Sequence, residues 1–182
     1  GTSQYVPIDE DHTVVGQSPY SASKISADQM TMSYFRSYNL PVKIVRPFNI
    51  YGPRQSSRAI IHTIITQLLS GNSKIKLGNI NTSRYLTYVK DTVDGFIEIA
   101  KSNNLFGEII NIGMNEEISV GNLSSLIIEL IGGKVEILQD KIRIRPEKSE
   151  VFRLFCDNSK IINMTDWKPK YTLQTGLKET ID

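Results

Sequence analysis

The chain has 182 residues, of which 40% are hydrophobic and 22% are charged, and its formal net charge is +2. This composition is typical of a globular domain, and at this length a single fold can bury most of the surface that its unfolded form exposes. Basic residues alternate with acidic ones instead of forming a stripe, which argues against a nucleic-acid-binding protein.

Cysteine usage and hydropathy indicate the compartment. Cys156 is the only cysteine, so an intrachain disulfide is excluded and a reducing cytoplasm is the simplest setting. No apolar run approaches the roughly 20 residues of a membrane helix, and the start GTSQYVPIDEDH lacks the layout of a signal peptide. We expect a soluble, cytoplasmic protein in which Cys156 is a small packed residue. His12 and His62 have no acidic or cysteine partners at ligand spacing, so no metal site is predicted.

Helices and strands alternate along the chain without a repeat, which predicts an α/β fold. Ser18-Pro19 is a typical helix start, and Asp91 and Ser119 are predicted to cap two later helices. Helices are predicted at 20–38, 60–69, 91–101, 119–131, from 158 and near 173–181. Strands are predicted at 42–45, 74–77, 85–89, 108–112, 135–138 and near 152–156, and the charged segment 141–150 is predicted to be a surface loop.

Tyr20 and Lys24 stand four residues apart at the start of the first predicted helix. A phenol whose pKa is near 10 is a poor base at neutral pH, but an ammonium group one helical turn away favours the phenolate. Such a tyrosine can take a proton from a substrate hydroxyl while hydride leaves the same carbon, and the lysine can hold a cofactor ribose. Chance produces a Tyr-x-x-x-Lys pair roughly 0.6 times in a chain of this composition, so the pair alone is weak evidence.

Several separated segments give the pair a context. In chain order they are SPYSASK, VRPFNIYGPR, YLTYVKD, EIINIG, RIRPEKSEV, DNSK and WKP. In this order they resemble the extended short-chain dehydrogenase/reductase family, specifically its nucleotide-sugar epimerases and 4,6-dehydratases. The resemblance implies the C-terminal part of a Rossmann-like parallel sheet with a smaller α/β substrate-binding subdomain. It assigns 1–57 and 84–113 to a partial nucleotide-binding domain, and 58–83 and 114–182 to a subdomain that binds a nucleotide sugar.

The resemblance implies roles at the helix and at the end of the strand predicted at 42–45. Tyr20 and Lys24 would be the catalytic base and its helper, and both would touch NAD. Pro47 and Phe48 would border the cofactor, and Asn49 would contact the sugar diphosphate. Without the family, Asn49 is as well explained as a turn residue before Tyr51-Gly52-Pro53.

Two arginines match positions that hold the nucleotide diphosphate in the family. Arg84 begins the YLTYVKD match, and Arg145 lies in RIRPEKSEV. A guanidinium group suits bidentate contact with phosphate. Arg143, two residues away, is an alternative to Arg145, and each arginine taken singly is as typical of a solvated surface. The segment 77–79 resembles the family's base-contacting loop, although it could be a plain strand end, and Asp157 is interpreted as a helix cap.

The family's glycine-rich GxxGxxG turn, which seats the dinucleotide pyrophosphate on a helix N-terminus, has no match in the chain. We therefore expect a C-terminal fragment that binds NAD weakly or not at all. Strands left without neighbours invite pairing with another chain, and a homodimer is expected. His62, where relatives commonly carry proline, and the segment 164–167 depart from the family pattern outside the proposed chemistry.

Three functions are compatible with this reading. The preferred one is an NAD-dependent nucleotide-sugar 4,6-dehydratase that acts through a 4-keto intermediate, since the opening GTSQYVPIDEDH and the RxRPxxSEV segment resemble the dehydratase branch. The first alternative is a nucleotide-sugar 4-epimerase, and the second is a non-catalytic nucleotide-sugar-binding fragment. The resemblance also implies a role in polysaccharide biosynthesis.

Overall fold

The computed structural model describes residues 3–140 and 154–182. The helices there are α1 (Pro19–Tyr38), α2 (Ile60–Leu69), α3 (Val89–Lys101), α4 (Val120–Ile131), α5 (Ser159–Met164) and α6 (Leu173–Ile181). The strands are β1 (Ile44–Pro47), β2 (Ile50–Tyr51), β3 (Lys74–Leu77), β4 (Ser83–Tyr85), β5 (Thr87–Tyr88), β6 (Ile109–Ile112), β7 (Glu117–Ser119) and β8 (Glu136–Gln139).

Most strand pairs are parallel. β1 pairs with β6, β2 with β5 and β3 with β8 in parallel, whereas β4 and β7 are antiparallel. Parallel neighbours need crossover connections, and helices supply them here. This arrangement confirms the predicted α/β class.

Two hydrophobic cores pack the helices against the strands. The smaller core packs α3 and α5 against β6 through Ile99, Leu105, Ile110, Ile112, Ile161 and Trp167. The larger core joins α2, α4 and α6 to β3 and the β2–β5 pair through Tyr51, Ile61, Ile64, Ile65, Leu68, Ile75, Leu77, Tyr88, Val120, Leu123, Ile127 and Leu177. The division of the chain into a nucleotide-binding and a substrate-binding part stays a prediction.

The start of α1 follows the predicted chemistry. Ser18 and Ser21 form a reciprocal capping box, and Pro19 occupies the first turn, where its missing N–H costs no hydrogen bond. Asn39 ends the helix in the left-handed conformation. Met32 is the one buried residue of α1, so this helix is packed lightly by the described part of the chain.

Two contacts fix the direction of α1. Phe35 packs on Gly107, just before β6, so closely that a Cβ at Gly107 would lie 2.2 Å from the Phe35 ring. Asp28, two turns earlier, accepts a hydrogen bond of 2.9 Å from Nε of Arg46 near the end of β1. Because β6 begins beside Phe35 and β1 ends beside Asp28, α1 runs antiparallel to both strands. Its amino end therefore extends past their carboxyl ends.

The predicted boundaries hold for α2, β3 and α6, and Ser119 caps α4 as expected by accepting from the backbone N–H of Asn122. The first strand, predicted at 42–45, lies at Ile44–Pro47 instead. Val42 is engaged in a turn, since its N–H donates to Leu40 and its carbonyl accepts from Gly107.

The strand predicted at 85–89 is two strands. β4 pairs with β7, and β5 pairs with β2, so the chain changes partner at Leu86. The strand predicted at 152–156 is represented in the described residues by an isolated bridge between Ile8 and Cys156. The loop predicted at 141–150 lies outside the described residues.

Asp91 is not the cap of α3, contrary to the prediction. The helix begins two residues earlier, at Val89, and Asp91 is fully buried in its first turn. Its carboxylate accepts hydrogen bonds from the backbone N–H groups of Lys170 and Tyr171, at 2.9 and 3.1 Å. The Asp91 carbonyl also accepts from Nε1 of Trp167 at 2.9 Å. Asp91 thus fastens the C-terminal segment to α3.

No helix in the described ranges is both long enough and apolar enough to cross a bilayer.

We predict that Asp91→Ala lowers the free energy of unfolding by about 3 kcal/mol, because two backbone N–H groups lose a charged acceptor in a buried site. Asp94→Ala is the matched control, since Asp94 lies one turn away and pairs with the exposed Lys170 ammonium. Asp94→Ala should lower the free energy of unfolding by less than about 1 kcal/mol. Urea denaturation measures both, and equal losses for the two variants would contradict the assignment.

Candidate functional site

The site is built where β1 and β6 end. Phe48, directly after β1, donates its N–H to the carbonyl of Ile112 at 2.8 Å, and Asn49 accepts through its carbonyl from Thr87 N–H at 2.9 Å. These bonds carry the chain from the β1–β6 pair to the β2–β5 pair. Residues 47–49 are thereby held at the carboxyl edge, where open parallel sheets bind ligands.

Tyr20 and Lys24 lie near the amino end of α1, beyond that same edge. The Lys24 ammonium lies 5.6 Å from the centre of the Tyr20 ring, and the Tyr20 side chain is 72% exposed. Tyr20 lies eight residues before Asp28, which is about 12 Å along the helix axis. Three extended residues from Arg46 carry Asn49 roughly 10 Å in the same direction. The tyrosine and the asparagine therefore stand at similar heights above the sheet.

Asn49 and Arg84 line one cavity with a volume of about 460 Å³. The remaining lining residues come from the loop after β2, from α2, from the turns around β3 and β4, and from the start of α4: Ile50, Gln55, Arg58, Ala59, Ile60, Thr63, Lys76, Leu77, Gly78, Asn79, Thr82, Ser83, Leu86, Val120 and Leu154. This volume is in the range of small-molecule sites.

Three cations, Arg58, Lys76 and Arg84, surround this cavity, and no acidic side chain of residues 3–140 and 154–182 lines it. Arg84 is half-buried, and its Nη1 donates to the carbonyl of Ser83 at 2.8 Å. The cavity is thus suited to an anionic ligand, and a guanidinium and an ammonium are ordinary phosphate partners. The segment 77–79 also lines the cavity, and its contact with a nucleotide base stays a prediction.

Gln55 is a residue that the sequence did not reveal. Its Nε2 donates to the Ile50 carbonyl at 2.6 Å, and its Oε1 is buried with no hydrogen-bond partner in the part of the chain that the structure describes. Gln55 lines the cavity, so this oxygen is an acceptor available to a ligand hydroxyl or N–H. Neither periodicity nor residue type in YGPRQ marks it, and Arg58 and Lys76 were missed for the same reason.

The predicted residues divide into groups. Asn49 and Arg84 come together in the cavity, whereas Tyr20, Lys24, Pro47 and Phe48 do not line it. Arg145, with its alternative Arg143, lies outside the described residues.

Cys156 is fully buried, and this burial raises the pKa of its thiol well above the ordinary value. It is the packed residue that was predicted. Asp157 is not the N-cap of α5, contrary to the prediction: the N-cap is Asn158, and Asp157, one residue earlier, accepts from the N–H of Ser159 at 2.8 Å. Among the described residues no cluster of His, Cys, Asp or Glu could hold a metal.

A wider groove of about 860 Å³ lies between α3 and the segment 163–170. Four of its charged side chains already pair with one another: Lys170 with Asp94 at 2.6 Å, and Lys101 with Glu98 at 2.8 Å. We assign no site to it.

A parallel ladder, a tyrosine–lysine pair beyond its carboxyl edge and a cationic cavity beside that edge fit the Rossmann-like fold that the sequence resemblance implies. Comparisons with known proteins agree. The family model described as GDP-mannose 4,6 dehydratase matches residues 1–180. The chain belongs to this family, and its assignment to the nucleotide-sugar epimerases and dehydratases is confirmed.

Named relatives include both activities. A putative UDP-glucose 4-epimerase of Methanocaldococcus jannaschii is 33% identical over 189 residues, covering 100% of this chain and 58% of the relative. The dTDP-D-glucose 4,6-dehydratase of Homo sapiens is 33% identical over 181 residues, covering 96% of this chain and 50% of the relative. The chain thus spans about half the length of the curated relatives it matches.

Among solved structures, the dTDP-glucose 4,6-dehydratase of Bacillus anthracis in complex with NAD superimposes with a TM-score of 0.84 at 31% identity. The match covers 98% of this chain and 55% of that one. The predicted Rossmann-like fold is therefore confirmed.

Proposed function

We propose that the chain forms the substrate-binding and nicotinamide-facing part of an NAD-dependent nucleotide-sugar 4,6-dehydratase that acts through a 4-keto intermediate. The observation that carries the proposal is the cationic cavity containing Asn49 and Arg84 at the carboxyl edge over which α1 extends Tyr20 and Lys24. Each residue has a role that its position allows.

Tyr20 takes the proton of the sugar C4 hydroxyl through its phenol oxygen. Its exposure leaves that oxygen free to meet a substrate, and the Lys24 ammonium lies 5.6 Å from the centre of its ring. General base catalysis of this kind is worth about 10²–10⁴-fold in rate. The 4-keto sugar that forms has an acidic C5 proton, which permits loss of water across C5 and C6.

The described residues fit the nicotinamide end of NAD. Pro47 is exposed and Phe48 half-buried at the end of β1, and Tyr20 and Lys24 stand on α1 beside it. Lys24 would hold the ribose, and Pro47 and Phe48 would border the ring. NAD bound there would supply a hydride acceptor for C4 and, once reduced, a hydride donor.

Asn49 and Arg84 hold the diphosphate of the nucleotide sugar, with Arg58 and Lys76 adding positive charge around the same cavity. The buried Oε1 of Gln55 accepts a hydrogen bond from the sugar or the base. Arg145 remains a predicted second diphosphate contact.

A second candidate is a nucleotide-sugar 4-epimerase, in which hydride returns to C4 from the other face. The similarity to the putative UDP-glucose 4-epimerase of M. jannaschii, equal in identity to that of the human dehydratase, favours it. The third is a binding fragment without turnover, which fits the absence of a glycine-rich turn from the sequence. We also propose a cytoplasmic homodimer and a role in polysaccharide biosynthesis.

The product of the full-length protein with NAD identifies the reaction. We predict that one of the UDP-, dTDP- or GDP-linked hexoses yields a 4-keto-6-deoxy sugar, seen by NMR as a new C6 methyl group. Inversion at C4 without that methyl group would establish the epimerase instead.

Tyr20→Phe should lower kcat by about 10²–10⁴-fold. Tyr38→Phe, on the same helix and 75% exposed, should leave kcat unchanged, and a Tyr20→Phe enzyme that keeps full activity would refute the catalytic role.

The 182-residue chain tests binding separately from turnover. Calorimetry should show that it binds a nucleotide-diphosphate sugar, and Arg84→Gln should weaken that affinity about tenfold by removing a charged phosphate contact. Lys74→Gln is the charge-matched control, since Lys74 pairs with Glu136 outside the cavity. NAD should bind weakly or not at all because no glycine-rich turn is present. Tight NAD binding, or equal affinity in both variants, would contradict these assignments.

A further inference from the structure

We propose that the ion pair between Asp28 and Arg46 positions the Tyr20–Lys24 face of α1 over the substrate site. The proposal rests on the proposed function and adds two positioning residues to it. Neither side chain lines the substrate cavity, so both act through the residues that they hold in place.

The pair joins α1, which carries Tyr20 and Lys24, to the end of β1. Nε of Arg46 lies 2.9 Å from Oδ2 of Asp28, and both side chains are 24% exposed. Tyr20, Lys24 and Asp28 follow one another at intervals of four residues, so they share one face of α1. Arg46 directly precedes Pro47, and with it the loop that carries Asn49.

Little else ties this part of α1 to the sheet. In residues 3–140 and 154–182, the Asp28–Arg46 contact is the one ion pair between α1 and a strand. Serine and threonine hydroxyl groups of α1 donate to backbone carbonyls of the same helix. Met32 and the Phe35 contact with Gly107 both lie on the carboxyl-terminal side of Asp28. Among the described residues, Gly16 packs on Ala22 nearer the amino end, and the Asp28–Arg46 pair is the ion pair that ties these two turns to a strand.

A small rotation is enough to misplace the base. Phe35 and Tyr20 are separated by about 22 Å of helix, so a rotation of roughly 5° about the Phe35 contact displaces Tyr20 by about 2 Å. Misplacement of a catalytic group by 1 Å can cost on the order of 10²-fold in rate. Substrate affinity should change little, because the cavity residues lie on other elements.

The test uses the full-length protein with NAD, and the variants Asp28→Asn, Arg46→Gln and the double variant. Each single variant should lower kcat about 10–100-fold and leave KM for the nucleotide sugar within about threefold. Because the two groups act as one unit, the kcat of the double variant should be no more than about threefold below that of the less active single variant. An unchanged kcat, a rise in KM alone, or multiplying losses in the double variant would overturn the proposal.

Glu108→Gln is the matched control. Glu108 forms a partly exposed ion pair with Lys160, at 2.8 Å, which joins α5 to the chain just before β6 and involves no side chain of α1. It should leave kcat unchanged. A fall in kcat equal to that of Asp28→Asn would indicate a general loss of stability and overturn the positioning role.

A second readout is independent of turnover, so failure of the proposed function remains distinguishable. Amide hydrogen exchange over residues 20–31 should be about tenfold faster in Asp28→Asn than in Glu108→Gln. Equal exchange in the two variants would overturn the proposal even if the wild-type protein proved active. If the wild-type protein turned over no nucleotide sugar, the proposed function would fail, and faster exchange would still establish that the pair holds α1 in place.

Discussion

The parallel ladder between β1 and β6 is the constraint on which the site depends. Its register, from Ile44 opposite Ile109 to Pro47 opposite Ile112, brings both carboxyl ends to one edge. The hydrogen bond from Phe48 to Ile112 extends the ladder by one residue, and the chain then turns into β2 and the substrate cavity. A slip of one residue would turn Arg46 away from Asp28 and detach α1.

The two sides of this ladder are held by different forces. On one side α3 and α5 are packed by a hydrophobic core and fastened by the buried Asp91 carboxylate. On the other side α1 is largely exposed in the described part of the chain and is held by the buried Met32, an ion pair and one aromatic contact. The stable side therefore provides the frame, and the proposed catalytic residues stand on the lightly held element. Such an arrangement makes their alignment sensitive to single side chains.

Much of this organisation could be predicted from the sequence, where local chemistry determines structure. Ser18-Pro19 predicted the start of α1, and Ser119 predicted that of α4. The failures came from tertiary contacts. Asp91 has the residue type of a cap, but its carboxylate accepts hydrogen bonds from backbone N–H groups of a segment distant in sequence. Gln55 became visible only once folding buried its Oε1 beside Asn49, because no local pattern encodes that proximity. Tyr20 and Lys24 were identified through separated motifs, since the pair itself arises readily by chance.

The most direct test of the account is a crystal structure of the full-length protein with NAD and a bound nucleotide sugar. The account predicts the Tyr20 hydroxyl within about 3 Å of the sugar C4 oxygen, the distance of a productive hydrogen bond. It also predicts the diphosphate against Asn49 and Arg84 in the cavity beside β4. A nucleotide sugar bound elsewhere, or one whose C4 oxygen faces away from Tyr20 while the diphosphate occupies the cavity, would contradict it.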